Sequence, residues 1–203
     1  DNSLFMPTHF PSISPSAIQR MKGMGYARVF VSVMEDFFQD VLSRKTLEEI
    51  AQDAYEGSNG FDPFIEQVSD IDYIGRLDEG PTAAFKDYAA QVLFRITEAL
   101  MREHPEIIVR PGVRLGDVDL LTYLTSTSGD TGGAMGNACH GMYKMWMAII
   151  HSAFIGEDVS DLQAKQMDTL GDNIYAIWAQ TDFDGCNAIA QRLQSDPELK
   201  YMN

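Results

Sequence analysis

Residues 125–134, TSTSGDTGGA, stand between an apolar run at 120–124 and a segment with helix-like spacing. A corner that turns a strand into a helix points its backbone N–H groups outward, where the helix dipole is positive. Such a corner receives an anion, either a carboxylate or a phosphate. Gly129, Gly132 and Gly133 let the backbone approach a ligand closely, and Ser126, Thr127, Ser128 and Thr131 add hydroxyl donors. Asp130 carries a charge that repels a phosphate dianion. A ligand with both an ammonium and a carboxylate, such as an amino acid, suits the corner better. The plain alternative is a capped helix behind a flexible turn.

The rest of the C-terminal part alternates around this corner. Apolar runs at 145–154 and 174–178 read as buried strands. Helices are expected at 135–144, at 160–167 behind a Ser160 cap, and at 186–193 capped by Asp182 or Asp184. Strands alternating with helices predict an α/β fold: a parallel four-stranded sheet flanked by helices, with right-handed crossovers. Ligands of such sheets bind at the carboxyl ends of the strands, where TSTSGDTG falls.

Before it, residues 1–77 read as a separate, partly helical region. Pro7, Pro11 and Pro15 mark 1–15 as extended, and a short helix at 16–20 is interrupted by Gly23 and Gly25. Helical spacing runs through 27–42. Thr46, followed by Glu48 and Glu49, is expected to cap a helix at 47–55. A turn at 57–63 precedes alternating residues at 65–77, enough for one or two strands. The α/β domain is expected to cover 78–203, with an exposed excursion at 104–118 carrying Pro105, Pro111, Gly112 and Gly116.

Composition narrows the functions. A formal charge of −15 on 203 residues disfavours nucleic acid and anionic membranes as partners. Cys139 and Cys186 form neither a disulfide framework nor a metal cluster, so reduced thiols and a cytoplasmic location are the simpler expectation. No stretch has the pattern of a secretory signal or a membrane span.

The second informative stretch is EGPTAAFKDY, residues 79–88. Gly80-Pro81-Thr82 is a turn that leads into helical spacing over 83–101. Lys86 falls in the first turn, where a cation sits badly against the helix dipole. That placement favours the neutral amine, the form that attacks an aldehyde to give a Schiff base. An ordinary surface lysine beside Asp87 is the plain alternative.

EGPTAAFKD followed by TSGDTGGA resembles the paired signature of the threonine synthase family, pyridoxal-phosphate (PLP) enzymes of fold type II. VSDLQAKQMDTLGDNIYAI, DFDGCNAIAQRLQSDPELK and DNSLFMPTHFPSIS are weaker echoes of the same family. The resemblance implies the fold-type-II small domain for the α/β part. It also implies that Lys86 holds the cofactor as an internal aldimine and moves protons during catalysis. Ser128, Gly129, Asp130, Thr131 and Gly132 would line the pocket for the amino-acid end of the substrate. The implied activity is a PLP-dependent lyase reaction, O-phosphohomoserine and water to threonine and phosphate.

Some residues depart from the pattern. Asp78-Glu79 replaces an apolar pair and histidine before GPT, 103–116 looks inserted, and 153–157 replaces a family turn. The resemblance also implies that the part of the family carrying the cofactor-phosphate cup lies outside these residues. A different fold-type-II enzyme, a dehydratase or β-replacement enzyme, and a non-catalytic module that keeps the fold remain as alternatives. Three expectations follow: a parallel sheet after residue 120, a Lys86 amine facing the 128–132 loop across an open cleft, and weak cofactor binding without turnover by this chain alone.

Overall fold

The computed structural model describes residues 6–57, 60–110 and 112–200. The expectations for residues 1–5, for Ser58 and Asn59 in the turn, and for Pro111 lie outside the described residues. The chain forms two compact units, Asp1–Asp62 and Pro63–Asn203.

The first unit is helical. Helix α1 (Pro15–Met21) opens with proline at its first turn, and the Ser14 hydroxyl accepts the Ala17 N–H. Helix α2 (Tyr26–Phe38) stops before the expected residue 42. Helix α3 (Arg44–Tyr55) is capped by Ser43 rather than Thr46; the Ser43 hydroxyl accepts the Thr46 N–H at 3.0 Å. Serine three residues earlier wins because it leaves Thr46 inside the helix, where its side chain is buried. Ala27 and Val31 of α2 and Leu47, Ile50, Ala51 and Ala54 of α3 make the buried faces of this unit. Tyr55 packs edge-on against Tyr26 and Phe61, with ring centroids 4.7 and 5.7 Å away.

The second unit begins with an antiparallel hairpin of β1 (Phe64–Gln67) and β2 (Tyr73–Arg76), in register Phe64↔Arg76, as the alternation at 65–77 suggested. Helix α4 (Asp87–Glu103) follows, then a short antiparallel pair, β3 (Ile108–Arg110) and β4 (Val113–Arg114), inside the expected excursion. The alternating region contains β5 (Leu121–Thr127), α5 (Asp130–Cys139), β6 (Met145–Ser152), α6 (Asp161–Asp168), β7 (Ile174–Ala179), α7 (Phe183–Ser195) and α8 (Pro197–Lys200).

The strands pair in parallel in the order β5-β6-β7, with Leu121↔Met145 and Met147↔Ile174 in register. The expected fourth strand is therefore not in this sheet, which has three strands. The physical reason is plain in the pattern. Only three apolar runs of strand length lie in 120–193, and the apolar residues of 87–103 repeat at helical spacing.

Side chains of β6 alternate between two cores, as the period of two requires. Met145, Met147 and Ile149 pack with Phe94 of α4, Ala134, Ala138 and Cys139 of α5, and Ala164 and Met167 of α6. Ile150 packs with Cys186 and Ala190 of α7. No helix among the described residues is long and apolar enough to cross a membrane.

Candidate functional site

The site is built where β5 gives way to α5. Strand β5 runs through Thr127, so part of the expected loop is strand, and α5 begins at Asp130 instead of 135. The buried Thr127 explains both shifts. Its Oγ1 accepts the N–H groups of Gly129 and Gly132, each at 2.9 Å, and satisfies two donors at the open end of the helix. Gly129 adopts φ 125°, a conformation that costs a side-chain-bearing residue heavily. Gly132 is required by contact: a Cβ there would stand 2.5 Å from Met167 Sδ and 2.8 Å from Ile149 Cγ2. The small residues thus serve close packing of α5 on β6 as well as exposing the loop.

With Gly129 and Gly132 committed to Thr127, the first-turn N–H groups of Asp130 and Thr131 meet no partner in the hydrogen bonds of the described residues. They lie beside the exposed Ser128 and the half-buried Thr131.

Lys86 sits at the N-cap of α4 instead of in its first turn, because the helix starts at Asp87 and not at the expected residue 83. What holds it there is Asp87, which is fully buried. One Asp87 oxygen accepts the Thr82 N–H at 2.9 Å and the other accepts the Thr82 hydroxyl at 2.8 Å. This ties the Gly80-Pro81-Thr82 turn to the helix start and shortens the helix, with Ala83 at φ 57°. The Lys86 side chain is 31% exposed, its amine 4.2 Å above the centre of the Phe85 ring. Its Nζ lies 3.7 Å from Asp130 Oδ2. The two sequence motifs therefore meet, and they meet by a direct ion pair.

Asp130 has a second partner that sequence reasoning missed. Gln163 Nε2 donates to Asp130 Oδ1 at 2.6 Å. The signal available was the spacing Ser160-x-x-Gln163, a capping box, of which only the serine was used. Asp87 was also undervalued, as a mere neighbouring charge; its burial is invisible in sequence.

The departure at Asp78-Glu79 is partly neutralised. Asp78 takes a two-pronged hydrogen bond from Arg76, at 3.1 and 2.9 Å. That arginine holds the Asp78 carboxyl below the usual carboxylate range.

The family model described as "Threonine synthase N terminus" matches residues 1–55. Threonine synthase of Escherichia coli (strain K12) is 28% identical over 200 residues, which are 98% of this chain and 42% of that protein. Threonine synthase of Corynebacterium glutamicum is 29% identical over 212 residues, 100% of this chain and 40% of that protein. Among solved structures, PLP-bound threonine synthase from Brucella melitensis matches with a TM-score of 0.77 at 26% identity, over 95% of this chain and 39% of that one. The chain thus spans about two fifths of the length of the relatives it matches.

Proposed function

From the premise that this chain is a threonine synthase homologue matching the N-terminal portion of that enzyme, we propose that it contributes the cofactor lysine and the substrate loop of a PLP-dependent lyase. The reaction is conversion of O-phosphohomoserine and water to threonine and phosphate. The observation that carries the reading is the meeting of Lys86 and Asp130 at 3.7 Å, which joins the FKD and SGDTG motifs at one point.

The residues suit the group at its aldehyde end. Lys86 offers a primary amine that solvent reaches, fixed at a helix start by the buried Asp87. The bound cofactor would supply an electron sink for charge developing on the substrate carbon. Lys86 would hold it through that amine and carry protons to and from the substrate.

The open N–H groups of Asp130 and Thr131, with the Ser128 and Thr131 hydroxyls, would receive the substrate carboxylate. Gly129 and Gly132 keep the loop low enough for that approach. With Lys86 holding the cofactor, Asp130 would be the carboxylate nearest to receive the ammonium of an amino acid. A cytoplasmic location belongs to the same reading, and the division expected at 77/78 falls at Asp62/Pro63 by compactness, which leaves the β1–β2 hairpin with the second unit.

This chain alone is expected to bind PLP weakly and to release no phosphate from O-phosphohomoserine. Its corner has lost two N–H donors to Thr127 and carries Asp130, both unfavourable to a phosphate dianion. Titration with PLP followed by absorbance tests the binding. A band that saturates in the native chain and is lost in Lys86→Ala supports the reading; no difference between the two opposes it. Phosphate release from O-phosphohomoserine by this chain alone would contradict the second expectation.

A further inference from the structure

Asp130 is gripped from two sides. Oδ2 faces Lys86 Nζ at 3.7 Å, and Oδ1 accepts from Gln163 Nε2 at 2.6 Å, short even for a hydrogen bond to a charged group. Gln163 is itself held. Its Oε1 accepts the Ser160 N–H at 3.2 Å and the Ser160 hydroxyl at 2.8 Å, at the N-terminus of α6. An amide whose oxygen is taken by the cap has its nitrogen aimed by that bond. Gly129 supplies the space: a Cβ there would stand 2.4 Å from Gln163 Cδ, so the amide lies against the bare backbone of the corner.

We propose that Gln163 is the positioning residue of this site, locking the Asp130 carboxylate against the Lys86 amine. The inference rests on the reading of Lys86 and Asp130 above, and it extends that site to a third element, α6. An exposed carboxylate in the first turn of a helix samples several rotamers, and each departure from Lys86 frees the amine. With Oδ1 tied to Gln163, Oδ2 keeps one place whether or not Lys86 occupies it. The same oxygen then holds the lysine in the free chain and stands ready for a substrate ammonium when the lysine is engaged.

The test needs no cofactor. Formaldehyde with cyanoborohydride methylates free amines, and mass spectrometry reads each lysine separately, with Lys45 and Lys144 as internal controls. In Gln163→Met, which keeps the length and loses the donor, methylation of Lys86 relative to the controls is expected to rise roughly two- to fivefold, the scale of an exposed ion pair. Asp130→Asn is expected to give the same rise, and the double variant no further rise, because the two act through one contact. A Gln163→Met chain with an unchanged Lys86 ratio, or a double variant with additive effects, overturns the proposal. If Gln163→Met perturbs the fold, all lysines accelerate together, and Ser160→Ala becomes the deciding variant. A rise at Lys86 alone supports the proposal and an unchanged ratio overturns it. Failure of PLP to bind leaves this readout intact, so the two readings fail separately.

Discussion

The Thr127 hydroxyl and the Gly132 N–H meet at 2.9 Å, and the same hydroxyl takes the Gly129 N–H at 2.9 Å. A strand residue thereby caps the helix that follows it. Thr127→Val keeps the shape of the side chain and removes the acceptor, leaving two buried donors unmet. The expected loss is about 2–3 kcal/mol, read as a lower urea midpoint with an unchanged slope. Thr127→Ser, which retains the oxygen, is expected to lose much less.

Asp87 connects stability to the site. Asp87→Ala removes both acceptors of Thr82 and opens a void beside Gly80. A loss of about 1–3 kcal/mol is expected, together with loss of selective cofactor labelling at Lys86. Asp87→Asn keeps one acceptor and is expected to fall between. Urea unfolding measures the first effect and peptide mapping the second. If Asp87→Ala kept native labelling at Lys86, the turn would not be what positions the lysine.

What could be read from sequence divides along physical lines. The starts of β6 and β7 and the Ser160 and Asp182 caps were legible, because burial pattern and cap chemistry are local. The start of α5 was not, because Gly132, Gly133 and Gly136 are weak helix formers and the cap comes from Thr127 across the turn. The expected fourth strand came from the strand–helix alternation after residue 120, yet that stretch holds only three apolar runs of strand length, and the sheet has three strands. Lys86 and residues 128–132 stood out as motifs. Gln163 did not, since its contact with Asp130 depends on how α6 returns against α5.

Cys139 gives a pH dependence. It is fully buried, and burial pushes its thiol up to about 12 from an ordinary 9.0. The unfolded chain therefore releases this proton at lower pH than the folded one. The associated stability is complete below pH 9.0 and is lost as pH rises from there towards about 12. Urea midpoints are expected to fall across that window, with a shallower fall in Cys139→Ala. A thiol reagent at pH 8 is expected to modify Cys139 only at the rate of unfolding.

The central claim is that Lys86 is the cofactor lysine. Its most direct test is to incubate the chain with PLP, reduce with borohydride, and map the modified lysines. Exposure alone favours Lys45, whose side chain is 84% exposed against 31% for Lys86. The account predicts the opposite order: Lys86 carries the label at low PLP, ahead of Lys45, and Lys86→Ala leaves only slow, scattered labelling. Label following exposure, with Lys45 ahead of Lys86, would contradict it.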